Sequence, residues 1–424
     1  MIGLLASSFV ALAGPSGNAN LTSTEDVPIA DAEWTIMVYL DADNSLEANG
    51  YQDLAELEEV GSKLGVNIVV LFDALSYEGT HWFYIGLNSD HILDDGTIKC
   101  DCEKIAGDHP GELNMGDGKN LTYFIKTAAN YAPAQKYYLD LWDHGGGWWG
   151  ICFDDSSPLP SGSDDRLEMA EVEEAVKASG VHLDVIDYDA CFMGMVEIAY
   201  ENREIADYMV ASITTEPGTG YDYSLLLEKI YALDERDAES VSIATVDAYI
   251  ETYDIYSDAG VGGYPYVSSS VFDLEAVEEL VGVGEKDAGM DALGAVLLEH
   301  AEEFDLRGVI QSSESQTPQL QFENEQFPFI DIGYFVELLK DKAPEDISAV
   351  AEATFGLLYE NAVVYCRSVT SDMGTPLETY GISVYYTICW GHLYESYLNL
   401  DMDFVNETHW DEFLFTFSQV YVYP

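Results

Sequence analysis

Five short apolar runs, each separated from the next by a helical or polar stretch, govern what this chain can fold into. They are Trp34–Leu40 (WTIMVYL), Val66–Phe72 (VNIVVLF), Lys136–Asp143 (KYYLDLWD), Val185–Asp189 (VIDYD) and Asp207–Ile213. β-Branched and aromatic residues run through them with little polar alternation, the pattern of strands buried on both faces. Helical patterns intervene after Ser45 and over Leu121–Tyr131, Leu167–Ser179 and Met193–Glu204. Strands alternating with helices predict an α/β fold with a mostly parallel sheet covered on both sides. Ligands in such sheets bind at the carboxyl ends of the strands. Asn44, with Glu47 three residues on, reads as a capping box for the first helix. Trp82–Leu87 reads as a smaller strand in a hairpin. Beyond Tyr221 helices are expected at Ser224–Leu233, Ala238–Tyr256, Leu274–Gly282, Lys286–Phe304, Ile330–Leu339 and Pro344–Tyr359. Strands are expected there at Tyr264–Asp273 and Ile382–Ile388. This divides the chain into a signal-like, flexible segment (1–30), an α/β core (31–232) and a mostly helical region (233–424) able to return strands to the sheet.

Composition then removes whole classes of partner. The 424 residues carry 16 Lys+Arg against 78 Asp+Glu, a formal charge of −62. Nucleic-acid backbones need basic patches to displace counterions, so nucleic acid is excluded. Anionic membranes are disfavoured for the same reason. Hydrophobic residues still make up 48% of the chain, so acidity here does not mean disorder. A surface of this sign suits a salty medium, where screening relieves self-repulsion. Ile2–Ala13 (IGLLASSFVALA) ends in the small-x-small form of a signal cleavage site, without a basic residue ahead of it. It predicts export to the cell surface or beyond. No other stretch reaches the ~18–20 apolar residues of a membrane span. The six cysteines are Cys100, Cys102, Cys152, Cys191, Cys366 and Cys389. No C-x-x-C pair exists among them, so zinc ribbons and thioredoxin-like chemistry lack their motif. Cys100 and Cys102 are awkwardly spaced for a mutual disulfide, whereas Cys366 and Cys389 could pair in an exported chain.

Two strand ends carry the chemistry. The first reads Leu141-Trp142-Asp143-His144-Gly145-Gly146-Gly147-Trp148. It sets an imidazole at the sheet rim, followed by glycines that let another backbone approach. The second reads Asp187-Tyr188-Asp189-Ala190-Cys191-Phe192-Met193-Gly194-Met195. It sets a thiol between a buried strand and a helix, where backbone N–H groups and the helix dipole favour the thiolate. The two positions lie 47 residues apart, against about 50 for the His and Cys of caspases. A lone cysteine after a strand is ordinarily a small buried hydrophobe. Order, spacing and strand-end placement together favour a Cys–His peptidase. The HGGG string also occurs in esterase oxyanion loops, but the G-x-S-x-G elbow those enzymes need is missing.

These segments resemble the clostripain family of cysteine peptidases, of the caspase, gingipain and legumain clan. The resemblance runs through Trp34–Glu47, Leu139–Trp148, Val185–Tyr200 and Ala211–Tyr223 (ASITTEPGTGYDY). The D-x-C-x-M-x-x-x-E string, with H-G-x-G-W upstream, is its most specific part. The resemblance implies a caspase-like three-layer sandwich with a largely helical C-terminal region. It also implies hydrolysis of peptide bonds after Arg or Lys at P1, the substrate residue before the scissile bond. His144 matches the catalytic His, Cys191 the nucleophile and Asp189 the acid that meets a basic P1 side chain. Backbone N–H groups of Gly145 and Cys191 are the natural oxyanion donors. Glu216 is placed at the edge of the P1 pocket. Asp189 has a competing reading as the N-cap of the next helix, and Glu216 as an ordinary turn acid.

The family is made as a precursor cut between its two catalytic motifs, which implies a zymogen here. Asp154–Asp165 (DDSSPLPSGSDD) has the composition of a mobile loop, and Arg166 beside it is the candidate autoprocessing site. The resemblance implies Ca2+ as a cofactor, although the sequence itself requires none. Asp41-Ala-Asp43-Asn44 begins like an EF-hand loop, yet no Gly holds its sixth position and Gln52 holds its twelfth. No metal ligand is assigned. The expected partners are peptide or protein substrates, and a monomer is favoured. The alternative is a catalytically inactive caspase-like binding module at a cell surface.

Overall fold

The computed structural model describes residues 27–76, 79–87, 89–92, 98–157, 165–258, 266–301, 303–306, 308–309, 329–370, 379–386 and 395–422. Residues 1–26 with the signal-like run, most of the Asp154–Asp165 loop and Cys389 lie outside these.

Twelve strands are present among the described residues: β1 (Ala32–Ala42), β2 (Val66–Ala74), β3 (His81–Tyr84), β4 (Ala134–Trp142), β5 (Ile151–Asp154), β6 (Asp165–Leu167), β7 (Leu183–Asp189), β8 (Ala206–Ala211), β9 (Tyr266–Asp273), β10 (Phe329–Asp331), β11 (Val363–Thr370) and β12 (Ser383–Tyr385). Eight form one sheet in the order β11-β9-β8-β7-β4-β1-β2-β3. Its central pairings, β2 to β1, β1 to β4, β4 to β7 and β7 to β8, are parallel. The edges are antiparallel, through β3 on one side and β9 and β11 on the other. All five apolar runs lie in the parallel centre, where both faces need cover.

That cover separates cleanly on β1. Trp34, Ile36, Val38 and Leu40 face one hydrophobic cluster, and Met37 and Tyr39 face the other. The first cluster is shared with α1 (Glu47–Val60) and with the helices Tyr223–Ala232 and Ala238–Asp258. The second is shared with the helices Gly118–Tyr131, Met169–Ser179, Val196–Asn202 and Leu274–Val281, and with the C-terminal helices. The result is a three-layer α/β/α sandwich. Among the described residues no helix is long and apolar enough to cross a membrane.

Four local expectations change. The capping box at Asn44 does not form. The helix begins at Glu47 behind Leu46 without a side-chain cap, and Asn44 instead donates to Asp143 at 2.6 Å. Glu47 accepts from Ser76 on the neighbouring strand end. Strand β11 forms where the sequence predicts no element: its half-buried VVYCRSVT run follows directly on a helix and carries no clear alternation. Cys100 and Cys102 form a disulfide despite their spacing, with the Cys102 N–H donating to the Cys100 sulfur. Cys366 is free and packs against Gly381.

Candidate active site

The carboxyl ends of β1, β4, β7 and β8 meet along one rim of the sheet, and the motif residues stand on it. β4 stops at Trp142, in register with Asp189 of β7. The chain continues into His144 and Gly145, and Gly145 bridges to Ile151 as the loop returns. A Cβ on Gly145 would stand 2.2 Å from the Cys191 carbonyl oxygen and 2.8 Å from its nitrogen. Only glycine allows the His and Cys loops to lie this close. Gly147 has φ +62°, and a Cβ there would strike Met195 and Phe329. Gly145 is thus set by backbone contact, and Gly147 by its φ and by the Met195 and Phe329 side chains.

Cys191 follows β7 in a turn whose next residue, Phe192, has φ +65°. The Phe192 and Gly194 N–H groups donate to Thr214 and Ser212 at the end of β8. The helix after this turn starts only at Val196, so Cys191 is not at its N-terminus. Asp189 is accordingly no N-cap. The expected help from a helix dipole gives way to different surroundings. The Cys191 sulfur accepts from the Glu216 N–H at 3.2 Å. Burial pushes the thiol pKa up, and the Asp189 and Asp143 charges add to this. The Glu216 and Gly145 N–H groups oppose it. Resting Cys191 is therefore a thiol, and His144, though at the rim, is desolvated enough by its surroundings to have its pKa lowered, which keeps it neutral.

The His144 ring is exposed at the rim. Its Nε2 lies 2.8 Å from Ser45 Oγ, a partner the sequence reading missed. Ser45 belongs to the turn between β1 and α1, and adjoining Asn44 ties that turn to Asp143 beside His144. The Cys191 sulfur and the His144 ring do not hydrogen-bond to each other. Catalytic hydrogen bonds are often loose without substrate.

Asp189 lies 4% exposed behind Cys191. Its carboxylate accepts from the Tyr221 N–H and the Tyr223 hydroxyl, at 3.2 and 3.1 Å. Gly220, with φ +49°, brings the 215–220 loop over it: a Cβ there would sit 2.8 Å from Asp189 Oδ2. Burial raises the Asp189 pKa to about 6. Both Glu216 carboxylate oxygens are enclosed, and the carboxyl lies against that of Asp189, with which it shares a hydrogen bond. Burial and the neighbouring Asp189 hold the Glu216 pKa well above the usual range. Asp187 lies on the same face of β7, further from the rim, accepting from Tyr138 and Tyr221 at 2.5 and 3.0 Å. Among the described residues no Lys or Arg pairs with Asp189 or Glu216.

The structure thus brings His144, Gly145, Cys191, Asp189 and Glu216 to one place. Arg166 stands apart, in β6 on the hairpin that follows the His loop. Its Nε donates to the Trp149 carbonyl at 2.6 Å, it pairs with Glu168 at 3.3 Å, and it stacks over Trp149. The C-terminal region closes the back of the site. Phe329 of β10 packs edge-on against Phe192, and the Ser383 N–H of β12 donates to Gly194.

The chain is 31% identical to clostripain from Hathewaya histolytica over 226 residues. That match covers 47% of this chain and 42% of clostripain, so it spans less than half of that relative. In fold it is similar to a secreted C11 cysteine protease from Bacteroides thetaiotaomicron, solved with an irreversible peptide inhibitor. The TM-score is 0.62 at 20% identity, covering 90% of this chain and all of that one. It is also similar to an inactive zymogen C11 protease from Parabacteroides distasonis, with TM-score 0.59 at 21% identity, covering 92% and 99%. The profile of the clostripain family matches residues 38–416, nearly the whole described chain, both strand-end motifs included. On that match the chain belongs to the clostripain family of cysteine peptidases.

Proposed function

We propose that this chain is an exported endopeptidase that cuts peptide bonds after Arg or Lys, with Cys191 as nucleophile and His144 as proton carrier. The observation that supports it most is the pair of enclosed carboxylates, Asp189 and Glu216, beside the Cys191 sulfur. Buried acids without a counter-charge are costly. A guanidinium or ammonium group entering beside them relieves that cost, and a bidentate Arg does so best.

The chemistry follows from the groups present. His144 takes the Cys191 proton as the sulfur attacks the scissile carbonyl, and the carbonyl π electrons move onto oxygen. N–H groups of Gly145 and Cys191 stabilise that oxyanion. The C–N bond breaks as the oxyanion collapses, and His144 gives its proton to the leaving amine. Water, deprotonated by His144, then attacks the thioester, and the thiolate leaves and regains the proton. A cationic P1 side chain also offsets the carboxylate charge that raises the thiol pKa. Substrate binding on this reading favours its own nucleophile.

Maturation is proposed to cut after Arg166. Because Arg166 lies in β6 with its side chain engaged, the β5–β6 hairpin must open first. An Arg166→Ala chain that still splits at this position would remove that part.

The decisive experiment is a fluorogenic peptide series varied at P1, run on the wild type, Cys191→Ala and Asp189→Asn. Hydrolysis confined to Arg and Lys, absent in Cys191→Ala and at least ~100-fold slower in Asp189→Asn, is expected from loss of a buried charge pair. Equal cleavage of neutral and basic P1 peptides by the wild type would overturn the specificity. No cleavage at all by a reduced, processed chain would favour the inactive binding module.

A further inference from the structure

The outer edge of the sheet carries a second group of reactive side chains, remote from β7 and Cys191. Cys100 and Cys102 lie against the free edge of β3, and His109 comes from the loop after the short helix Cys102–Ile105. The two sulfurs and one His109 ring nitrogen all lie within 4.8 Å of one another. Cys102 is buried, Cys100 half-buried and His109 exposed, so an ion can reach the group from solvent. His81 of β3 stands edge-on to His109, with ring centroids 5.0 Å apart. It is 8% exposed, and its Nδ1 is enclosed without a well-formed hydrogen bond, the Gly79 carbonyl being the polar group at hand.

The sulfurs are held there by more than their mutual bond. The Asp101 N–H donates to the Trp82 carbonyl at 2.8 Å, and the Asp101 carboxylate accepts from the Tyr84 N–H at 3.1 Å. His91 bridges that carboxylate to Glu58 of α1, at 3.1 and 2.5 Å. The Cys102 sulfur accepts from the Trp82 N–H at 3.4 Å, and the Cys100 sulfur from the Cys102 N–H at 2.8 Å. Donors aimed at sulfur favour the thiolate, which is the form that ligates metals. We propose that the Cys100–Cys102 disulfide is the oxidised form of a zinc site, which on reduction binds one Zn2+ through Cys100, Cys102 and His109, with His81 nearest the open fourth position. Two thiolates and an imidazole are the donors of a thiophilic, tetrahedral ion, not of Ca2+ or Mg2+. The C-x-C spacing differs from the C-x-x-C of zinc ribbons, and only the turn after Ile105 brings His109 to it.

A dithiol supplies the electrons. Its two sulfurs join as a disulfide while the bond between Cys100 and Cys102 breaks, and its two protons pass to the cysteines. Zinc then displaces those protons, two per ion. In the oxidised chain each sulfur is bonded to the other and the site is closed. The place of the site gives the ion a structural role. Residues 101–102 cover the free edge of β3, which would otherwise be open to pairing. The 109–112 loop is tied to the start of that strand: the Gly111 carbonyl accepts from the Thr80 N–H, and Glu112 from the Gly79 N–H. Glu112 also accepts from the Ser156 hydroxyl, where the loop leading to Arg166 begins. An ion shared by Cys100, Cys102 and His109 fastens the edge cover to this loop when the disulfide is gone.

The test uses the full chain carrying Cys191→Ala, so that the thiol at the rim neither binds metal nor cuts the protein. The chain is reduced with a dithiol, stripped with chelator and desalted under nitrogen. It is then titrated with ZnCl2 against a chromophoric chelator in about 0.5 M NaCl, which screens diffuse binding to the acidic surface. The proposal expects one zinc per reduced chain, bound at least ~100-fold more tightly than by the chain left oxidised, and a zinc-dependent rise in the melting temperature. Co2+ in place of zinc gives the thiolate-to-cobalt charge-transfer bands of a tetrahedral site. Cys100→Ser with Cys102→Ser abolishes those bands. His109→Ala, at an exposed position that keeps the fold, weakens zinc at least ~10-fold. His300→Ala, a remote imidazole beside Asp346, leaves binding unchanged. Equal zinc binding by the reduced and oxidised chains overturns the site, as does undiminished binding in His109→Ala. Cobalt bands that survive the serine pair overturn it too.

Discussion

At the scale of single residues, the site is defined by negative charge held where it is costly. Cys191 lies between carboxylates, so its thiol pKa is raised rather than lowered. The sequence placed Cys191 and His144 at strand ends correctly, because strand ends follow from runs of apolar residues. Ser45 could not be found that way: its bond to His144 joins positions 99 residues apart, and serine after a strand carries no signal of its own. The direction of the thiol shift was also hidden, since it depends on Glu216 and Asp189 arriving together in space. A consequence is testable by alkylation. Iodoacetamide should react with Cys191 in a step that rises above the usual cysteine range of about 8.5. Asp189→Asn removes a repelling charge from beside the thiolate, so it should move that step to lower pH. A step at or below the ordinary value in the wild type would show that the carboxylates do not govern the thiol.

At the scale of elements, two loops and a strand pair fix the site. The His loop and the Cys turn touch through backbone, and Gly145 is the contact. Gly145→Ala should lower kcat/KM at least ~100-fold, because the added methyl meets backbone that cannot move aside. Gly146→Ala should be mild, since its Cβ would lie 3.4 Å from the nearest atom, the Cβ of Trp149. Equal effects of the two would refute the close approach. The glycine run was legible as a sign of such an approach, but which glycine makes it was not. The C-terminal strands are unevenly legible: β12 lies inside the strand expected at Ile382–Ile388, whereas β10, three residues at the head of an expected helix, carries too short a pattern to read. Yet Phe329, 2% exposed, is the wall behind Phe192. Phe329→Ala should cost about 3–5 kcal/mol of stability by leaving a cavity, read from denaturant unfolding. It should also slow hydrolysis by loosening the Cys turn.

At the scale of the whole molecule, the charge of −62 is partly internal. Burial holds Asp53 protonated up to about 10, Asp73 and Asp187 up to about 8, and Glu197 and Glu201 up to about 7. In the unfolded chain these groups release their protons near pH ~4. Between about pH 4 and 8 the folded chain thus binds more protons than the unfolded one, and raising the pH across this window destabilises the fold. The melting temperature in chelator should fall from pH 5 to pH 8, and added NaCl should raise it at pH 8 by screening surface repulsion. A melting temperature that climbs over the same window would contradict the burial of these acids. The fold class was legible because a parallel sheet writes both of its buried faces into continuous apolar runs. The acid networks were not, because aspartates on separate strands become neighbours only through register. The central claim, that Cys191 is the nucleophile of a pocket built for a basic side chain, is tested most directly by covalent labelling. A peptidyl chloromethyl ketone ending in Arg, and its twin ending in Asp, are each incubated with reduced protein, and the intact mass is measured. The account predicts one adduct from the Arg probe, mapped to Cys191, none from the Asp probe and none in Cys191→Ala. Equal labelling by both probes, or an adduct on Cys152 or Cys366 with Cys191 untouched, would contradict it.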